Sequence, residues 1–80
     1  MKLFTNRTYK KVFICRYLFN TNTVKLQVVT ESPIALFKEV AKIAQILTKE
    51  RKANERYILI YANTKAEALA KLQYNYKYGG

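Results

Sequence analysis

The sequence predicts an α+β fold with the element order β-β-α-β-α, in which a small three-stranded sheet of order 2-1-3 carries two helices packed on one face. Runs rich in β-branched and aromatic residues, typical of strands, occupy 9–19, 24–30 and 57–62. Apolar residues recur at helical spacing over 33–50 and again after residue 63. At this length we expect one domain, residues 1–80.

The first strand contains the run KKVFICRYLF, which does not alternate between apolar and polar residues as a half-exposed strand would. The segment Asn20–Thr23 is a turn, because asparagine tolerates left-handed backbone and its side chain can mimic a backbone turn. The first two strands therefore form a hairpin. A right-handed crossover makes strands 2 and 3 parallel. We place strand 1 between them, because a central strand is the most buried.

The first helix is expected at 33–50. Ser32 is predicted to cap it and Pro33 to stand in its first turn. The polar residues 51–56 connect it to strand 3. A second helix begins at Asn63 or Thr64, since Thr64 and Glu67 have the spacing of a capping box. The alternating tyrosines of the tail fit a helix end, an edge strand or an arm that orders on a partner.

The two faces of the sheet are assigned from strand 2, where Val24, Leu26 and Val28 alternate with polar residues and should face the helices. In strand 1 the row that contains Arg16 is expected on the other, open face. A contiguous apolar patch left open usually marks an interaction surface. The alternatives are that the tail covers this face or that the two faces are exchanged. The candidate protein-interface residues are Val12, Ile14, Leu18, Val29 and Leu59.

Charge points to a polyanionic partner. Fifteen Lys and Arg residues stand against five acidic ones, giving a formal net charge of +10. Lys and Arg can hold phosphates while tyrosine rings stack on unpaired bases, and the cluster at 49–56 could contact a nucleic-acid backbone. The alternative is a solvated basic surface. The candidate nucleic-acid-binding residues are Lys10, Lys11, Arg16, Lys25, Lys49, Arg51, Lys52, Arg56, Tyr57 and Tyr61.

The composition argues against catalysis. The chain has no His, no Asp and no Trp, so a Cys–His pair, a Ser-His-Asp triad and a histidine metal site are excluded. We therefore expect no enzyme activity, no metal, no cofactor and no small-molecule substrate. The single cysteine, Cys15, cannot form an internal disulfide. The start MKLFTNR has no apolar core of signal-peptide length and no run approaches the roughly 20 apolar residues of a membrane span, so we expect neither a signal peptide nor a membrane span. These features favour the cytoplasm and disfavour a membrane partner.

The stretch ILIYANTKAEALAKL resembles the last strand and helix of the arm-type DNA-binding domains of tyrosine integrases, in which a strand meets a helix that starts as Thr-Lys-x-Glu-Ala. That start is Thr64 to Ala68 in this chain. The resemblance covers about fifteen residues and implies DNA binding. The helix at 33–50 departs from that family's order of three strands followed by a helix.

Two functional hypotheses follow. The first is a small, basic, non-catalytic protein that binds DNA or RNA and has a regulatory role. The second is a protein-interaction module, namely a homodimer, an inhibitor or a subunit of a larger assembly, that docks through the open sheet face. Both can hold together, because a dimer formed through the sheet would present its basic helices outward.

Overall fold

A computed structural model describes residues 9–79, so the N-terminal residues 1–8 lie outside the described part of the chain. Its elements are β1 (Lys11–Phe19), β2 (Val24–Pro33), a short 3-10 helix (Ile34–Leu36), α1 (Phe37–Glu50), β3 (Glu55–Ala62), α2 (Lys65–Tyr74) and a π-helical turn (Asn75–Gly79). The strands form one sheet in the order β2-β1-β3, and β1 is antiparallel to both neighbours. The predicted α+β class, element order and strand order are confirmed.

The β1–β2 hairpin closes through the turn that was predicted at Asn20–Thr23. The Asn20 N–H donates to the Thr23 carbonyl (2.8 Å), and the Thr21 N–H donates to Asn20 Oδ1 (2.9 Å). The ladder is interrupted once, because Ile14 pairs with Thr30 and Cys15 pairs with Val28. Residue 29 is therefore an extra residue, a β-bulge in the edge strand β2.

The predicted helix start at Ser32 is wrong. Ser32 pairs with Val12 inside the β1–β2 ladder, and β2 continues to Pro33. Proline is tolerated there because β2 is an edge strand and the missing N–H falls at its outer side. The chain then turns through the 3-10 helix, and α1 begins at Phe37 without a side-chain cap. Tertiary pairing has thus outweighed a local capping signal.

The start of α2 confirms the sequence prediction. The Thr64 side chain accepts a hydrogen bond from the Glu67 N–H (3.1 Å), and Glu67 Oε1 accepts one from the Asn63 N–H (3.0 Å). These bonds satisfy backbone donors that a helix start otherwise leaves free. Beyond Tyr74 the chain stays helical, so the tail is a helix end and forms neither an edge strand nor an extended arm.

The two helices pack on opposite faces of the sheet, so the predicted placement of both on one face is wrong. On one side the buried cluster joins Phe13, Cys15 and Tyr17 of β1 to Ala68 and Leu72 of α2. On the other side Val12 and Ile14 of β1 pack against Val40 of α1, together with half-buried residues of β3. The fold therefore has three layers, with β1 in the middle.

This arrangement removes the open sheet face. Val12 and Ile14 have no exposed surface, and Leu59 is half-buried beside them in the cluster under α1. They cannot contact a partner while α1 is in place. Leu18 lies half-buried near the end of β1, and Val29 is partly exposed at the bulge of β2. The five candidate interface residues therefore do not form one accessible surface.

The sequence of β1 explains why a helix covers each face of the sheet. A strand that is apolar on both sides is expected to be buried on both faces, and β1 has this property except at Arg16. Because of the charge of Arg16, its row of side chains was predicted to face solvent. In the structure Arg16 lies toward the end of β1 and is paired with polar neighbours, so it does not prevent α1 from covering the same face.

A pair of matched substitutions tests the covered face. Ile14→Ala should lower the free energy of unfolding by about 2–5 kcal/mol, because it leaves a cavity under α1. Ile46→Ala makes the same chemical change at a side chain on α1 that is 55% exposed, and it should alter stability by less than about 0.5 kcal/mol. Urea unfolding followed by circular dichroism measures both. Equal effects would contradict the burial of Ile14.

Alkaline pH should lower the stability of the protein, because the buried thiol of Cys15 ionises more easily in the unfolded chain. Burial raises the pKa of Cys15 from 9.0 to about 11, and burial followed by the charge of Cys15 also raises the pKa of Tyr17. Because the unfolded chain loses these protons first, their stabilising contribution is complete below pH 9 and is lost as the pH rises through about 11. For Cys15 the loss is on the order of 2–3 kcal/mol.

The measurement is urea unfolding at neutral pH and at about pH 11. The control variant Cys15→Ala should be less stable at neutral pH but should lose less stability on alkalinisation than the unaltered chain. If both proteins lose the same amount, ionisation of Cys15 does not contribute to alkaline unfolding.

Candidate nucleic-acid interface

Several segments meet at one end of the sheet, which we call the turn end. It comprises the β1–β2 turn (20–23), the α1–β3 connection (51–54), the π-helical turn (Asn75–Gly79) and the adjoining ends of the strands and helices. The Phe19 N–H donates to the Asn54 carbonyl (2.8 Å), which ties the connection to the end of β1. The Tyr76 ring lies 6.3 Å from the Phe19 ring, which brings in the C-terminal turn. Both helices end here because each runs back along the sheet from the opposite end.

The turn end gathers half of the predicted nucleic-acid-binding residues. All five are exposed: Lys25, Lys49, Arg51, Lys52 and Arg56. Among the described residues, Lys25, Lys49, Lys52 and Arg56 form no ion pair. Their positive charges are therefore available to an external anion.

Part of the local charge is used within the protein. The Arg51 guanidinium donates to the Glu55 carbonyl (2.8 Å), and Glu55 Oε1 accepts from the Lys52 N–H (3.0 Å). These bonds hold the connection in a defined turn. Lys49 stands in the last turn of α1, where it complements the partial negative charge of a helix C-terminus. The cluster is thus built on an ordered backbone.

Arg16 has a structural role in this fold. Its guanidinium donates to Gln27 Oε1 through Nη2 (2.6 Å) and Nε (3.0 Å), and it forms an ion pair with Glu55 Oε2 at 3.2 Å. The Arg16 side chain is 27% exposed and that of Glu55 is 13% exposed. Pairing across three strands neutralises Arg16, and it also removes the Glu55 carboxylate as a competitor for the remaining basic residues.

Lys10 and Lys11 lie at the opposite end of the sheet. The Lys10 N–H donates to Asn63 Oδ1 (2.8 Å), and the Lys11 ammonium is 3.6 Å from a Glu31 carboxylate oxygen. Antiparallel pairing separates them from the turn end by the length of β1. The structure therefore does not bring these two residues together with the basic cluster.

The two predicted stacking tyrosines are covered by α1. Tyr57 and Tyr61 are half-buried in the cluster around Val40, and the Tyr61 ring stacks on Phe37 with 5.8 Å between ring centres. In this structure they support the helix. They do not present free ring faces to a base on an open sheet.

Sequence reasoning missed a different aromatic group at the turn end. A cleft of about 290 Å³ is lined by Tyr17, Phe19, Arg56 and Tyr76. Its three rings lie 5.5–6.3 Å apart, and Tyr76 is 42% exposed. The predicted strand order makes β1 and β3 neighbours, but the register that pairs Tyr17 with Arg56 was not predicted. The approach of Tyr76 was not predicted either, because it depends on the helical continuation of the tail.

Comparisons with protein-family models, with curated proteins and with solved structures found no significant match to this chain. Within residues 9–79, no helix is long and apolar enough to cross a bilayer. No group of three or more His, Cys, Asp or Glu residues in the same range is arranged to hold a metal ion.

The role of Arg16 can be separated from that of the exposed basic residues. Arg16→Met should lower the free energy of unfolding by about 1–3 kcal/mol, because it leaves the mostly buried Glu55 carboxylate without its cation. Lys25→Met, which removes an unpaired exposed charge from the adjacent strand, should change it by less than about 0.5 kcal/mol. Chemical denaturation of both variants provides the measurement. A neutral effect of Arg16→Met would remove its structural assignment.

Proposed function

We propose that this protein is a small non-catalytic nucleic-acid-binding protein and that it engages the phosphate backbone through the turn end. The observation that carries this proposal is that Lys49, Lys52 and Arg56 are exposed at one end of the sheet and form no ion pair among the described residues, next to a Glu55 carboxylate already neutralised by Arg16. Such a patch attracts polyanions and gains affinity by releasing their counterions.

The aromatic cleft favours single-stranded over duplex nucleic acid. The exposed ring of Tyr76 stands beside Arg56, so a base unstacked from its neighbours could lie on the ring while the guanidinium holds a phosphate. Stacking on an aromatic side chain contributes about 1–3 kcal/mol per base and requires an unpaired base. A duplex would gain only the phosphate contacts.

This proposal moves the interface from the face of the sheet to its end. The earlier alternative, a protein-interaction module docking through an open sheet face, loses its surface because α1 covers Val12 and Ile14. A non-membrane, cytoplasmic setting with reduced thiols remains part of the proposal. It is supported by the unpaired, buried Cys15.

The test compares two variants of equal charge. In the turn-end variant Lys49, Lys52 and Arg56 are all replaced by Gln. In the control variant Lys38, Lys42 and Lys65, which are exposed elsewhere on the domain, are replaced by Gln. Both lose three positive charges. Fluorescence anisotropy with labelled single-stranded and duplex DNA and RNA, over a range of salt, measures affinity and its salt dependence.

We expect the turn-end variant to bind at least about tenfold more weakly and to show a shallower dependence of log K on log salt, by about 0.7 per lost phosphate contact for single strands. The control variant should stay close to the unaltered chain. If both variants weaken equally, binding depends on net charge alone. If the unaltered chain does not bind at low salt, the proposed function is wrong.

A further inference from the structure

The two edge strands of the sheet, β2 and β3, differ in whether their outer backbone groups are blocked from pairing with another strand. Edge strands offer unpaired backbone groups, and proteins commonly block them with bulges, Lys or Pro. β2 has all three, namely the bulge at Val29, Lys25 and Pro33. β3 pairs with β1 in unbroken register and contains no Lys and no Pro. Among the described residues, no further strand lies beyond it.

The hydrogen bonds at the two ends of β3 show which of its backbone groups point outward. Asn54 accepts from Phe19 of β1, so residue 54 and every second residue after it face β1. The odd-numbered residues of β3 therefore face away. Two side chains confirm this assignment: Arg51 donates to the Glu55 carbonyl and Lys71 donates to the Tyr61 carbonyl, each at 2.8 Å.

These two side chains cap the ends of the edge and leave its centre open. The N–H and C=O groups of Tyr57 and Leu59 point outward between the caps, together with the Tyr61 N–H. A groove of about 350 Å³ on the α2 side and one of about 370 Å³ on the α1 side both have Ile58 and Leu59 in their walls. Within residues 9–79, the strand edge thus lies accessible between two grooves.

We propose that this edge pairs with β3 of a second copy of the chain, antiparallel, about a two-fold axis at Leu59. In this register Leu59 lies opposite Leu59 of the second copy, and Tyr57 lies opposite Tyr61. Each outward residue both donates and accepts a backbone hydrogen bond, with the Tyr61 oxygen shared between the second copy and Lys71. The result is a continuous six-stranded sheet, which is twice the three strands of one copy.

On both faces of the sheet, the side chains of β3 suit pairing with β3 of a second copy. Tyrosine meets tyrosine and leucine meets leucine on the α1 side, and Ile58 lies opposite Ile60 on the α2 side, which are favourable cross-strand pairs. A two-fold contact needs such a self-complementary patch.

Charge selects the antiparallel direction. In that direction Arg56 lies opposite Ala62, and Glu55 lies opposite Asn63. A parallel pairing would bring the two basic turn ends together, which the net charge of +10 disfavours. In the antiparallel dimer the two turn ends point to opposite ends of the joined sheet. The inference rests on the β3 edge and does not depend on nucleic-acid binding.

Amide hydrogen exchange of the unaltered chain tests the pairing with an internal control. The amides of Tyr57, Leu59 and Tyr61 should exchange severalfold more slowly as protein concentration rises. The amides of Ile58 and Ile60, which donate to β1, should be protected at every concentration. Rapid exchange of the outward amides at all concentrations would overturn the proposal. Protection of the outward amides under conditions where light scattering shows a monomer would overturn it too, because it would then arise within one chain.

A cysteine cross-link tests the register. Hydrogen-bonded antiparallel pairs have Cα atoms about 5.5 Å apart, a separation that a short bismaleimide spans more readily than a disulfide does. Leu59→Cys should therefore form a covalent dimer when a short bismaleimide is added. Tyr61→Cys is the matched control on the same strand and face. Its own copy lies four residues away, about 13 Å at strand spacing, and it should not cross-link. Absent or equal cross-linking of the two variants would contradict the register.

Discussion

The burial of β1 on both faces is the constraint on which the rest of the structure depends. Its odd-numbered side chains pack against α2 and its even-numbered ones against α1, so neither helix can leave without exposing a row of apolar residues. The central place of β1 then leaves β2 and β3 as the two edges. An 80-residue chain has little core to spare, and this strand contributes to both of its buried clusters.

The burial of β1 on both faces also decides which surfaces can bind a partner. With both sheet faces covered, the parts of the sheet that stay accessible are its ends and its edges. Both helices run toward the turn end, so the loop after α1 and the helical tail after α2 meet there, bringing basic and aromatic side chains together. The Arg16–Glu55 pair sits between the sheet and this surface. It allows a charged residue on β1 and frees the neighbouring basic residues from a competing carboxylate.

The two proposed surfaces share Arg56 but otherwise use different residues. The turn end lies across the ends of the strands, and the β3 edge runs alongside them. Pairing of β3 with β3 about a two-fold axis uses the β3 edge of each copy, and the bulge, Lys25 and Pro33 block the outer β2 edges, so the association stops at two copies. A domain that joins edge to edge would place its two turn ends at opposite ends of the joined sheet, so binding and assembly would overlap only at Arg56.

Periodicity and turn chemistry were sufficient to predict the strands, the order 2-1-3 and the Thr64 cap, because these depend on neighbours along the chain and on the handedness of one crossover. The basic segment 49–56 was also recognisable from composition. Sequence did not show that the two helices cover opposite faces, since a helix that follows an edge strand can pack on either side. In the structure α1 buries Val12 and Ile14 and closes the expected sheet surface, whereas α2 packs on the other face and brings Tyr76 to Arg56. This arrangement depends on contacts between residues far apart in the chain, and only the tertiary structure determines them.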